Sequence, residues 1–236
     1  MSANVNVLND VDLAGVVKEK AKISTAKASS PIDRWNPDAF ASEQIRGLVR
    51  RVFFLHGNGN TPVKQVVFSP AEPYIDIAHI CLQVAMALAA ETRCQVALVD
   101  HDEAVTEIHS HVRFASISSI HSRSTQITGN LWQVPLNGLG DGQKSGTGIH
   151  WLSCLAELRT EFEYAVIRGP AAGTSSDAAL LGQLTDGIIL VLGAHRTRRA
   201  TALKVKEALI ATRSHILGTV LSERTFPIPE GIYRRL

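Results

Sequence analysis

The sequence predicts an α/β fold: a three-layer αβα domain built on a mostly parallel sheet. Three observations carry that expectation. Short apolar runs recur along the chain: Val66-Val67-Phe68, Val96-Ala97-Leu98-Val99, Tyr164-Ala165-Val166-Ile167, Gly187–Leu192 and His215–Leu221. They are near-continuous rather than alternating, as strands covered on both faces require. Helical stretches separate them, so strands and helices alternate from Val63 to Leu221.

Taken in order, residues 1–36 are polar, rich in Ser, Ala and Lys, and weakly periodic. They read as a mobile arm or docking peptide. Asp38–Arg51 reads as a helix with Ile45, Leu48 and Val49 as its apolar stripe, and Glu43 and Arg46 are spaced to pair within one turn. The Gly57–Pro62 stretch is a loop by its turn chemistry. After the first strand and the turn Ser69-Pro70-Ala71-Glu72-Pro73, a helix from Tyr74 to about Glu91 is apolar nearly all round, with Pro73 suited to its first turn. The second strand ends in Asp100-His101-Asp102, and Glu103–Asn130 shows weak periodicity. Leu131–Pro135 is a short strand, Asn137–Gly148 a glycine-rich loop and Ile149–Phe162 an amphipathic helix. Ser175 or Ser176 caps a helix ending at Leu184, and Arg196–Thr212 is a basic amphipathic helix. The domain therefore spans residues 37–222, with a polar, proline-broken tail over 223–236.

The formal charge of +2 on 236 residues gives no global nucleic-acid signature. The charge is uneven, however. From Arg196 onward nine Lys/Arg face three Glu, a surface suited to an anionic partner or membrane unless it is a solvated helix face. Cys81, Cys94 and Cys154 are odd in number and share no metal-type spacing, so they read as reduced thiols in a cytoplasmic protein. No secretory leader and no membrane-spanning run is visible in this sequence.

Several constellations could carry chemistry. A phosphate-binding turn offers glycines, a lysine and a hydroxyl at a helix N-terminus. The turn after the first strand has none of the three there. Asp100 and Asp102 could serve as bases, but carboxylates at a strand's end more often cap or steer loops. His101, His109, His111 and His121 lack a fourth-ligand spacing for a metal. Gly138–Gly142 does not lie between a buried strand and an immediate helix, as a phosphate loop would.

Four motifs resemble the bacterial tyrosine kinases of capsule and exopolysaccharide biosynthesis, which belong with the ParA/MinD-like deviant P-loop ATPases. Glu43-Gln44-Ile45-Arg46 resembles the start of that family's oligomerisation helix, with Arg50 among the next arginines. Val96–Asp102 resembles its strand ending in Asp-x-Asp, and Tyr164–Pro170 its strand ending in Asp-x-Pro. Leu184–Arg199 is the best match, to an Ala-Asp-Gly-strand-Thr-Arg pattern. The resemblance runs from about Ser42 to Leu221 and implies a P-loop NTPase-like fold.

The departures bear on function. In the register the resemblance sets, Tyr74 and Asp76 stand at the two P-loop glycines, Ile77 at the phosphate lysine and Ala78 at the magnesium hydroxyl. Arg168 replaces the second metal-associated Asp, where it could pair with Asp100 or Asp102 in place of magnesium. The family's C-terminal tyrosine cluster shrinks to Tyr233, the remaining candidate for phosphorylation. The resemblance thus implies a degenerate member with no cofactor, ATP and magnesium included. It would act as a scaffold in exopolysaccharide biosynthesis and export, as a homo-oligomer or on the cytoplasmic segment of a membrane polysaccharide co-polymerase. Such a protein is cytoplasmic, peripheral to the inner membrane through its partner, and binds no DNA. Two alternatives stand beside it: an active ATP-dependent tyrosine autokinase or ATPase with an unusual site, and a ParA-like positioning protein on DNA or membrane.

Overall fold

The computed structural model describes residues 6–7, 37–55, 62–100, 120–135 and 148–223. Asp102, His101, His109, His111, the Gly138–Gly142 loop, Tyr233 and all of the expected N-terminal arm except residues 6–7 lie outside them.

The elements follow in chain order. A two-residue strand β1 (Asn6–Val7) precedes α1 (Pro37–Val49), which runs on into a π-helical segment, Arg50–Leu55. Next come β2 (Gln65–Pro70), α2 (Ala78–Thr92), β3 (Val96–Asp100), α3 (Ile120–Arg123), β4 (Thr125–Thr128) and β5 (Leu131–Pro135). The chain continues through α4 (Gly148–Glu161), β6 (Tyr164–Arg168), α5 (Ser176–Leu184), β7 (Gly187–Gly193), α6 (Arg199–Ala211) and β8 (Ile216–Ser222). The sheet order is β1-β8-β7-β2-β6-β3-β5-β4. Its six central strands are parallel, and only the edge strands β1 and β4 run antiparallel.

Right-handed crossovers put the β2–α2–β3 helix on one face and the helices after β5, β6 and β7 on the other. The packing agrees: α1 lies against α2, and α4 against α5. The expected mostly parallel three-layer αβα fold is therefore the fold observed. Its core is the sheet itself, with Val66, Val67, Phe68, Val96, Val166 and Ile188 all fully buried. On α2 the buried residues are Ile80, Cys81, Val84, Ala85, Leu88 and Ala89. Arg93, in the left-handed region, ends that helix and donates its N–H to the Ala89 carbonyl.

Three expectations are corrected. First, α2 starts at Ala78, not Tyr74, so Pro73 lies in the preceding turn rather than in the helix's first turn. Second, α6 starts at Arg199, not Arg196. Thr197 holds the residues between in a turn: its hydroxyl accepts from Gly193 N–H, and its own N–H donates to the Gly193 carbonyl. Third, both antiparallel edge strands escaped the sequence reading. All four residues of β4 are exposed, so no buried pattern marks it. β1 comes from the stretch read as a mobile arm and pairs with Val220 and Leu221.

One side chain fixes where the central strand begins. Asp186 Oδ2 accepts the backbone N–H groups of Lys64 and Gln65, each at 2.8 Å, and Asp186 Oδ1 pairs with Arg159 at 2.8 Å. The start of β2 is thereby tied to the start of β7 and to α4, and the turn at the other end of β2 is positioned with it.

Candidate functional site

In an open parallel sheet the natural crevice lies beyond the C-terminal ends of the strands, where successive connections leave in opposite directions. Here that point is the end of β2: α2 leads away to β3, while the β6–β7 connection passes to the other side. The ends of β2, β3, β6 and β7 bring together the Ala71–Ile77 turn, Asp100, Arg168 and the Ala194–Arg198 turn.

The turn after β2 is occupied by its own chain. Ala71 N–H donates to the Val191 carbonyl at 2.9 Å, and Ser69 Oγ donates to the Pro170 carbonyl at 2.6 Å. The loop after β6 bonds back: Ala172 and Gly173 N–H groups donate to the Pro70 and Ala71 carbonyls. A Cβ at position 173 would stand 2.5 Å from the Ala71 carbonyl oxygen, so only glycine permits this approach. No residue of the Ala71–Ile77 turn has a positive φ. The alternation of right- and left-handed residues that turns successive N–H groups toward an anion is therefore not formed there.

The N-terminus of α2 holds a carboxylate of its own. Asp76 Oδ1 accepts the Ala78 N–H at 2.9 Å. That oxygen sits where a helix N-terminus would otherwise receive an anion. Ile77, immediately before the helix, is buried. Tyr74 stands half-exposed at the mouth with the Arg196 guanidinium over its ring, 4.8 Å from the centroid, and Arg196 also pairs with Glu223 at 3.1 Å. A hydrogen bond to Glu72, then burial, raise the Tyr74 phenol pKa.

At the ends of β3 and β6, Asp100 and Arg168 are direct neighbours in the ladder. Arg168 Nη1 lies 3.2 Å from both oxygens of Asp100, and the two side chains are only 19–21% exposed. Of the two partners weighed for Arg168, Asp100 is the one described; Asp102 lies outside the described residues. The buried Cys81 thiol feels both charges, and its burial pushes its pKa far up.

The structure thus brings Tyr74, Asp76, Ile77, Ala78, Asp100 and Arg168 to one end of the sheet. Glu43, Arg46 and Arg50 are elsewhere, on α1 and its π-helical extension. Glu43 and Arg46 pair with each other at 2.9 Å, and Arg50 reaches Glu91 of α2 at 3.1 Å. His121 is packed between the rings of Trp132 and Phe162. Among the described residues no three His, Cys, Asp or Glu side chains converge as a metal site. Sequence reasoning missed Arg196 as the cover of Tyr74. Its only signal was a basic residue after the β7 strand.

No family model matches the chain. It is 32% identical over 73 residues to the tyrosine-protein kinase YwqD of Bacillus subtilis, covering 30% of this chain and 31% of that protein. To the tyrosine-protein kinase CpsD of Streptococcus agalactiae serotype III it is 35% identical over 66 residues, 28% of each chain. The chain thus matches less than a third of the length of these relatives. Among solved structures, the kinase domain of Escherichia coli tyrosine kinase ETK superposes with a TM-score of 0.62 at 15% identity, covering 88% of this chain and 85% of that one. The chimerical protein CapA2B2 gives 0.59 at 18% identity, over 77% and 84%. The MinD cell division protein of Aquifex aeolicus gives 0.52 at 13%, over 73% of each chain. The sequence relatives are bacterial tyrosine-protein kinases, and the fold is like that of the ETK kinase domain and of MinD. No described helix is long and apolar enough to cross a membrane.

Proposed function

We propose that the chain is a non-catalytic, tyrosine-kinase-like protein that acts as a partner or scaffold in polysaccharide or exopolysaccharide biosynthesis and export. The observation that carries this is the Arg168–Asp100 pair. A metal-associated carboxylate at the end of β3 must leave its oxygens to a cation or its water; here a guanidinium lies against both.

The other residues of the crevice do not fit magnesium nucleotide either. Phosphoryl transfer rests almost wholly on positioned cations and amides around the phosphates. Ala78 has no hydroxyl for a metal, Ile77 is apolar and buried, and Asp76 already accepts the N–H of the first residue of the helix that would face the phosphate. Asp76 and Glu72 at the mouth would repel an anion.

What remains for function is surface. Glu43, Arg46 and Arg50 are proposed for self-association, and residues 37–222 as the folded unit between an N-terminal arm and a C-terminal tail that carries Tyr233 as phosphate acceptor. For self-association, Arg46 and Arg50 would exchange their present partners for groups on a second copy. The partner in this reading is a second copy or the cytoplasmic segment of a membrane polysaccharide co-polymerase.

The test is calorimetry and thermal shift with Mg-ATP and Mg-ADP up to millimolar concentration. The expected result is no heat and no shift. Saturable binding would refute the reading in favour of a working autokinase; YwqD and CpsD are named tyrosine-protein kinases. Tyrosine autophosphorylation, beginning with Tyr233, would then be measured.

A further inference from the structure

The helix α6 carries a concentration of charge that the fold does not use. Arg198 and Arg199 stand at its start, Lys204 and Lys206 in its middle and Arg213 just beyond its end, all exposed. None of the five pairs with a carboxylate among the described residues. Glu207 is the only acidic residue from Arg196 to Arg213. Two arginines in the first turn also oppose the helix dipole, so this arrangement costs stability rather than adding it.

The helix is anchored by Val205 and Leu209, its buried residues. On its outward side Leu203 and Ile210 are 45% and 56% exposed. They are seven residues apart, two turns along one face, and Arg199, Lys206 and the single carboxylate Glu207 lie beside them at helical spacing. Apolar side chains among an excess of cations that form no ion pair among the described residues, along a helix of about 20 Å, match the interfacial pattern: cations for anionic headgroups, aliphatic chains for the acyl boundary. Residues 196–213 contain no aromatic side chain on which a base could stack.

We propose that the outward face of α6 is a docking surface for an anionic lipid bilayer, engaged by its arginines and lysines and by the insertion of Leu203 and Ile210. This contact is independent of nucleotide.

The experiment is co-sedimentation of the full chain with phosphatidylglycerol-containing vesicles, and with pure phosphatidylcholine vesicles, across a salt series. Binding to the anionic vesicles only is expected. Each cation near such a surface is worth about 1 kcal/mol, so Lys204→Glu with Lys206→Glu should lower partitioning by tenfold or more. Leu203→Ser with Ile210→Ser should remove the part of the binding that survives high salt. These side chains are exposed, and circular dichroism would verify that both variants fold. Equal binding by parent and variants, no binding to anionic vesicles at low salt, or binding to duplex DNA that the serine variant retains in full without vesicle binding would each overturn the proposal.

Discussion

Arg168 and Asp100 close the ends of two neighbouring central strands with an ion pair. The two residues are opposite in the β3–β6 ladder, so their side chains meet across adjacent strands. Breaking such a pair takes a charge partner away from a partly buried group. Arg168→Asp would set two carboxylates face to face and should lower stability by about 1–3 kcal/mol, below the ~3–5 kcal/mol of a fully buried pair because both groups keep some solvent. Urea unfolding measures this, and an unchanged midpoint would remove the pair's structural role. Asp186 is the second such residue. Replacing it with Ala removes the acceptor for two backbone N–H groups and an Arg159 partner, and should cost about 2–3 kcal/mol in the same assay. The Arg168 pair was legible in the sequence because strand ends are easy to locate and both residues close buried strands. The Asp186 clamp was not: its partners are backbone groups more than a hundred residues away, and no side-chain pattern announces them.

Among elements, the start of α2 separates what pattern reveals from what local chemistry decides. The apolar run makes Tyr74 look helical. Yet the chain turns first, and Asp76 supplies the oxygen that satisfies the Ala78 N–H. Asp76→Ala should therefore shorten or loosen the first turn and cost about 1 kcal/mol, read as a lower thermal midpoint. If phosphate affinity appeared in the same variant, Asp76 would be the group that keeps anions out. The β7–β8 pairing shows a different dependence. A Cβ at Gly187 would lie 2.5 Å from Leu217 Cγ and 2.8 Å from the His215 carbonyl oxygen. The backbone oxygen cannot swing away, so Gly187→Ala should destabilise by about 1–3 kcal/mol through overpacking. The long buried strands were readable because burial on both faces leaves an apolar run. The edge strands were not, because an exposed strand such as Thr125–Thr128 has no face to bury.

Across the whole molecule, the cysteines allow the two faces of the sheet to be compared. Cys81 is buried on α2 and Cys154 on α4, which cover opposite faces, while Cys94 is half-exposed after α2. Burial pushes the Cys154 thiol up to about 12, and that of Cys81 is raised further. At mildly alkaline pH both remain neutral in the native state, whereas an unfolded thiol is substantially ionised and reactive. A thiol reagent should therefore modify Cys94 first, and Cys81 and Cys154 only through opening. If the sheet and both helical layers unfold as one unit, the two slow sites share one rate, and that rate rises with urea in step with global unfolding. A faster Cys154 would mean that the α4 face opens separately. The sign of the pH effect follows from the same shift. A raised native pKa favours the protonated thiol, so its stabilisation is full below the ordinary thiol range and is lost as pH climbs toward about 12. Cys154→Ala should flatten the alkaline side of the stability curve, and an unchanged alkaline slope would show that this thiol is not a source of the pH dependence.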